Sequence, residues 1–247
     1  MKKYHHSLLI TDKSNIAYLS DFTGSNGFML LTGSEKYLFT DFRYIERAKN
    51  TIKKNITIID STKLWKDPET LEKNWHRILK KHKIKKIFVE ENNLTISNFK
   101  KIQKISKIKG QTIKFFPSSE IIENLREIKS EKEIILITKS QRLNEKVFEL
   151  IKKFIQKSLC EKAKITELDI AWKIKEFAYV NGAEELSFSP IVAFGKNSSS
   201  PHHLPGKTIL KKGDLILIDM GMKYKGFCSD MTRIIFTKPP TKEENNI

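Results

Sequence analysis

Two aspartates in the last part of the chain have a spacing that suits metal chemistry. Asp219 ends the apolar run Leu215–Ile218, and Asp230 follows eleven residues later, before a run that ends at Phe236. The glycine-containing segment between the runs predicts an antiparallel hairpin. A two-residue turn at Tyr224-Lys225 would place the aspartates directly opposite each other, with Cβ atoms ~4.5–5.5 Å apart and like charges in conflict. A shared proton, or two divalent metals ~3.5–4 Å apart, would relieve that conflict.

A different register would give these carboxylates ordinary roles. One aspartate would then belong to a turn or to a surface salt bridge with Arg233, which adds little stability. The spacing alone leaves both interpretations open.

A polar loop with paired histidines lies upstream, from Phe194 to Gly206, between two predicted strands. A loop histidine near a carboxylate pair suits a proton donor or a neighbour of a metal. The alternative for His202 and His203 is a capping or solvent-facing role.

These motifs resemble the proline-specific metallopeptidases with the pita-bread fold, Xaa-Pro aminopeptidase and Xaa-Pro dipeptidase. The segment from Ile191 to His202 is similar to the strand and loop that precede the family's first active-site histidine. Asp219 and Asp230, eleven residues apart, resemble its first two metal ligands. His202 precedes Asp219 by seventeen residues and fits the family better than His203 does.

The resemblance extends over essentially the whole chain. The segments from Tyr18 to Gly27 and from Phe39 to Tyr44 resemble the creatinase-type N-terminal domain, and the segment from Leu125 to Ile134 resembles the start of the peptidase domain. The implied fold class is α/β (α+β). It comprises a creatinase-type N-terminal α/β domain at residues 1–123, then the first half of a pita-bread metallopeptidase domain at residues 124–247.

The resemblance also implies an activity and a site. The family holds two divalent metals with two aspartates, one histidine and two glutamates, and hydrolyses the N-terminal Xaa-Pro bond of a proline-containing peptide. Asp219 would be a bidentate ligand of one metal, Asp230 would bridge both, and His202 would stabilise the tetrahedral intermediate. The hard ligand set favours manganese, with cobalt or zinc as alternatives.

Three of the five implied ligands have no counterpart in the chain, so we expect the chain alone to be inactive. Xaa-Pro dipeptidase activity, or a non-catalytic peptide- or protein-binding module, are the other interpretations. The family also implies a homodimer formed through the N-terminal domains.

The elements that must position these residues follow from apolar patterning. Strands are predicted at Ser7–Ile10, Gly27–Leu31, Tyr37–Thr40, Ile56–Ile59, Ile87–Val89, Ile191–Phe194, Leu215–Asp219 and Phe227–Phe236. Helices are predicted at Phe42–Lys53, Pro68–Lys81, Thr95–Ile108 and Glu131–Lys157, with one more from a Thr166 cap to Asn181-Gly182.

Composition excludes several classes of protein. The chain has 247 residues with 39% hydrophobic content and 15 Phe, which is too apolar for intrinsic disorder. Its net charge of +17 is the excess of 46 basic over 29 acidic side chains, and 40 of the basic ones are lysine. A phosphate-reading surface is expected to use arginine and interleaved aromatic residues, so we predict a solvated lysine surface and no nucleic-acid partner.

The sequence also bears on location. Cys160 and Cys228 lie far apart without a CxxC motif, which is typical of a reducing compartment. No run approaches the roughly 18 apolar residues of a membrane span, and the N-terminus lacks a signal-peptide apolar core. We therefore predict a cytoplasmic protein with no membrane partner.

Overall fold

The computed structural model describes residues 7–62 and 68–241. The chain divides into two compact units, Met1–Ile128 and Lys129–Ile247. The boundary predicted at 123/124 differs from this division by five residues. It falls inside a helix, Ile121–Glu127, whose side chain Ile122 is buried in the core of the first unit.

The first unit is an α/β sandwich. In chain order its elements are β1 (Ser7–Ile10), α1 (Lys13–Ser20), β2 (Phe28–Leu31), β3 (Lys36–Thr40), α2 (Phe42–Thr51), β4 (Ile56–Asp60), α3 (Pro68–Lys81), β5 (Lys86–Glu90), α4 (Ile96–Ile105), β6 (Lys114–Ser118) and α5 (Ile121–Glu127). The strands form one mixed sheet in the order β4-β3-β2-β1-β5-β6. Parallel pairs join β1 to β5, β5 to β6 and β3 to β4.

Helices cover both faces of this sheet, which explains the continuous apolar runs. Leu9 faces a cluster that includes Trp75 of α3 and Ile102 of α4. Leu8 and its neighbours on the other face join a cluster with residues of α1, α2 and α5, such as Ile16.

A buried asparagine ties α5 to the first unit. Asn15 Nδ2 donates hydrogen bonds to Glu90 Oε1 at 2.8 Å and to Glu123 Oε1 at 2.7 Å. Arg126 Nη1 donates to Asn15 Oδ1 at 2.8 Å. These bonds satisfy a fully buried amide and explain why the unit boundary follows α5 rather than precedes it.

The second unit packs two helices against short sheets. Its elements are α6 (Glu131–Cys160), α7 (Glu167–Val180), β7 (Glu185–Leu186), β8 (Ile191–Phe194), a 3-10 helix (Gly195–Ser199), β9 (Leu215–Met220), β10 (Met222–Tyr224), β11 (Phe227–Cys228) and β12 (Met231–Phe236). The described strands form two sheets, β12-β9-β8 and β11-β10-β7. One face of β9 carries Ile216 and Ile218, which pack with Ile151 of α6 and Ile174 of α7.

Two buried polar side chains of α6 fix the point where the chain passes between these sheets. Asn144 Nδ2 donates to the Met220 carbonyl at 3.0 Å, and Ser140 Oγ donates to the Met222 carbonyl at 2.7 Å. A Cβ at Gly221 would overlap the carbonyl oxygen of Ser229, so only glycine fits at this position between Met220 and Met222. This crossover lies directly after Asp219 and beside Asp230.

Within the residues that the structure describes, no helix combines the length and apolar character needed to cross a lipid bilayer.

Candidate metal-binding half-site

The two aspartates lie on adjacent segments of the hairpin but do not face each other. In the β9–β12 ladder, Asp219 pairs with Thr232 and Met220 pairs with Met231. Asp230 immediately precedes β12. The predicted direct opposition of Asp219 and Asp230 is therefore wrong.

The position of the hairpin turn explains the difference. Tyr224 pairs with Phe227, so the turn residues are Lys225 and Gly226 rather than Tyr224-Lys225. Both have positive φ angles, 47° and 82°, as a type I′ two-residue turn requires. When the turn shifts by one residue, the residue that faces Asp219 shifts by two, from Asp230 to Thr232. Gly226 is the sequence feature that indicates the correct turn.

The resulting arrangement is diagonal. Ile218, Met220 and Met231 are buried in the core. The alternating positions, Asp219 and Asp230, are partly or fully exposed, so they lie on the outer face. Diagonal neighbours are ~7–8 Å apart at Cα, a separation that lets two carboxylates converge on a cation between them without direct contact.

Thr232 orients the carboxylate of Asp219. Its Oγ1 donates a hydrogen bond to Asp219 Oδ1 at 2.9 Å. On the other side of β9, Asp219 pairs with Ile191 of β8. Asp219 is thus held in the central strand of its sheet, whereas Asp230 lies at a strand end.

The carboxylates of Asp219 and Asp230 are the type of ligand that suits a divalent metal, but two are too few for a complete site. Carboxylate oxygens are the ligands that hard cations such as manganese prefer. Across residues 7–62 and 68–241, no group of three or more histidine, cysteine, aspartate or glutamate side chains is placed to hold an ion. The described residues therefore offer two candidate carboxylate ligands, Asp219 and Asp230, and not a complete site.

His202 and His203 have different environments. His202 lies in the loop between β8 and β9 with an exposed side chain. The side chain of His203 is only 19% exposed, and its Nε2 lies 2.9 Å from Glu167 Oε2. The solvent-facing alternative therefore describes the side chain of His202 and not that of His203.

Glu167 is the residue that sequence patterning missed. It is fully buried at the start of α7 and contacts four hydrogen-bond donors from the histidine loop. Burial raises the pKa of its carboxyl, but hydrogen bonds from Asn197, His203 and two backbone amides outweigh burial and hold that pKa below its ordinary value. No local signal marks it, because its partners are 27 to 39 residues away in sequence.

Known protein families match both units. Residues 2–128 match the creatinase/prolidase N-terminal domain, and residues 136–247 match metallopeptidase family M24. The chain belongs to this metallopeptidase family. The expected fold class, a creatinase-type α/β domain followed by pita-bread metallopeptidase sequence, is confirmed.

Individual relatives agree with this family. An uncharacterized peptidase of Bacillus subtilis is 30% identical over 97% of this chain and 63% of its own length. A putative Xaa-Pro aminopeptidase of Mycoplasma genitalium is 35% identical over 92% of this chain and 58% of its own. The chain thus spans about three fifths of the length of these relatives.

Solved structures of the family have the same fold. The Xaa-Pro dipeptidase from Bacillus anthracis superposes with a TM-score of 0.84 at 28% identity, over 98% of this chain and 63% of that one. The X-Pro aminopeptidase from Thermotoga maritima gives 0.82 at 27% identity, over 98% and 65%. These two structures differ in their named activities, one a dipeptidase and the other an aminopeptidase.

Proposed function

We propose that this chain forms part of a metal-dependent Xaa-Pro peptidase and supplies Asp219 and Asp230 as two of its metal ligands. The observation that carries the proposal is the diagonal placement of Asp219, on β9, and Asp230, directly before β12, on the outer face of the hairpin in a chain of the M24 family. The Xaa-Pro peptidases among its relatives and solved neighbours support the substrate class.

His202 is the proposed catalytic residue. Its imidazole is exposed, while the next residue of the loop, His203, contacts the buried Glu167. His202 can therefore donate a hydrogen bond to an oxygen of a bound peptide. Stabilising the oxyanion of the tetrahedral intermediate is the role that suits such a donor.

The proposal includes weak metal binding and no hydrolysis by this chain alone. Two carboxylates bind a divalent cation far less tightly than a complete ligand set does. The ligand type favours manganese over cobalt or zinc. In the family pattern, one histidine and two glutamates complete the site, and no such cluster occurs in the part of the chain that the structure describes.

An activity assay with a complementing segment tests the function. We expect no cleavage of a Xaa-Pro dipeptide or of a longer Xaa-Pro peptide by the chain alone with Mn²⁺. We expect cleavage by a chimera in which the C-terminal part of the Bacillus subtilis relative follows this chain. Asp219→Asn or Asp230→Asn in the chimera should lower the rate at least about 100-fold, because each removes a metal ligand.

The matched control is Glu185→Gln, which neutralises an exposed carboxylate in the same unit and should leave the rate unchanged. Cleavage by the chain alone would contradict the expected inactivity. A folded chimera that binds the peptide but never cleaves it would instead favour the non-catalytic binding module. The preferred substrate, dipeptide or longer peptide, distinguishes the dipeptidase from the aminopeptidase.

A homodimer formed through the first unit and a cytoplasmic location are also part of this proposal. The two cysteines, Cys160 and Cys228, are both free and exposed, which suits a reducing compartment. Sedimentation of the purified chain at two concentrations tests the dimer.

A further inference from the structure

We propose that Glu167 is a positioning residue for His202. Its carboxylate binds both ends of the polar loop from Phe194 to Gly206, so that His202 projects from a backbone held against α7. This inference rests on the proposed function, in which His202 acts on the bound peptide.

The first carboxylate oxygen binds the start of the loop. Glu167 Oε1 accepts hydrogen bonds from the backbone N–H of Phe194 and from Asn197 Nδ2, both at 2.9 Å. Phe194 is the last residue of β8, and Asn197 lies in the 3-10 helix that follows. Asn197 Nδ2 also lies 3.1 Å from Thr208 Oγ1, which connects the two ends of the loop.

The second oxygen binds the far side of the loop. Glu167 Oε2 accepts from the backbone N–H of Gly206 at 2.9 Å and lies 2.9 Å from His203 Nε2. One carboxylate therefore contacts the chain at residues 194, 197, 203 and 206. His202 lies inside this span, next to one of the contact points.

The first turn of α7 reinforces the same attachment. The backbone N–H of Leu168 donates to the Gly206 carbonyl at 3.1 Å, and that of Glu167 donates to the Thr208 carbonyl at 3.3 Å. The positive end of the helix dipole favours a carboxylate at this position. Four donors match the acceptor sites of an ionised carboxylate, so its buried charge is fully hydrogen-bonded.

Glu167→Gln is a selective change at this site. The amide oxygen still accepts from Phe194 and Asn197, whereas the NH₂ group faces the N–H of Gly206, so two donors oppose each other. A substitution that only destabilises α7 is not expected to disturb the contact between residue 167 and Gly206. The matched control is Asp169→Asn, because Asp169 caps the same helical turn through Thr166 and none of its described hydrogen bonds goes to the loop.

The experiment compares histidine side-chain NMR signals and amide hydrogen exchange in the 247-residue chain without metal or substrate. His202→Gln and His203→Gln variants assign the two imidazole signals. In Glu167→Gln, we expect the His202 signal to shift or split and the Gly206 amide to exchange about 10-fold faster or more. In Asp169→Asn, we expect a lower thermal midpoint and an unchanged His202 signal.

An unchanged His202 signal in folded Glu167→Gln would overturn the proposal, whether or not the Gly206 amide exchanges faster. If that variant does not fold, Asn197→Ala, which removes a single donor, is compared in the same way, and an unchanged His202 signal overturns the proposal there too. Because no metal or peptide is present, this result is independent of the peptidase proposal, which fails separately if Asp219 and Asp230 bind no Mn²⁺.

Discussion

Thr232 lies directly opposite Asp219 across the β9–β12 ladder, and its hydroxyl donates a 2.9 Å hydrogen bond to Asp219 Oδ1. This pair occupies the position that the sequence analysis assigned to Asp219 and Asp230. It leaves Asp230 diagonal to Asp219, and it gives the proposed metal ligand a partner that orients its carboxylate.

Thr232→Val removes that hydrogen bond and keeps the shape of the side chain. We expect the Mn²⁺ dissociation constant to rise about 10-fold, because partners that orient a metal ligand typically change affinity 10–100-fold. The free energy of unfolding should fall by less than ~1 kcal/mol, since Thr232 is exposed. Isothermal titration calorimetry measures the first quantity and urea denaturation the second.

Thr232→Ser restores the hydroxyl and should restore the affinity for Mn²⁺. Equal affinities in the Val and Ser variants would show that the hydroxyl does not orient Asp219.

Gly221→Ala tests the crossover between the two sheets. The added methyl group would overlap the Ser229 carbonyl oxygen, so the hairpin must move. Overpacking of this kind costs about 1–3 kcal/mol. Urea denaturation should show a loss in that range together with weaker Mn²⁺ binding, because the displaced segment carries Asp230.

The comparison variant is Gly226→Ala in the turn of the same hairpin. Nothing lies within 4 Å of the added methyl group there, and only the positive φ of 82° is unfavourable. It should lower stability by about 1 kcal/mol and leave Mn²⁺ binding unchanged. If Gly221→Ala is no worse than Gly226→Ala, the close approach at Gly221 does not constrain the site.

Asp41 gives the first unit a stability that depends on pH. Hydrogen bonds from the Arg43 guanidinium, aided by Asn26, lower the pKa of the Asp41 carboxyl to about 2 from an ordinary value of 3.8. The folded state therefore binds a proton less readily than the unfolded state. The stabilisation is fully present above about pH 4 and is lost as the pH falls toward 2.

Asp41→Asn should accordingly cost about 1–2 kcal/mol at about pH 7, after allowance for solvent screening at the half-exposed Arg43. The difference from the wild type should shrink as the pH is lowered to about 3, measured as urea midpoints of the first unit. A difference that stays constant over this range would show that the ionised carboxylate is not the stabilising form.

Regular elements were the part of the fold that sequence patterning predicted well. The bounds of β1 and β8 match the prediction residue for residue, because continuous apolar runs mark strands covered on both faces. The α6 helix begins at Glu131 as predicted and extends three residues beyond Lys157. Its regular spacing of apolar residues gives the same signal over many turns.

Elements that depend on distant contacts were missed. The α1 helix was not predicted, because its buried face includes the polar side chain Asn15, which is satisfied by Glu90 and Glu123 far along the chain. The role of Glu167 was missed for the same reason. The predicted hairpin register was wrong because the turn lies at Lys225-Gly226 and not at Tyr224-Lys225.

The roles of Asp219, Asp230 and His202 stay predictions, although the first two lie together as a diagonal pair. The structure places Asp219 and Asp230 on one face but offers no third ligand among its described residues. Metal binding by this pair is therefore the central claim, and it can be measured without catalysis.

The most direct measurement is Mn²⁺ titration of the purified chain, followed by electron paramagnetic resonance of the free ion. We predict one weak site with a dissociation constant on the order of 1 mM, as few charged ligands provide. Asp219→Asn and Asp230→Asn should each abolish it, while Glu185→Gln should bind Mn²⁺ like the wild type. Binding that survives both aspartate substitutions, or that is lost equally in Glu185→Gln, would contradict the assignment of Asp219 and Asp230 as metal ligands.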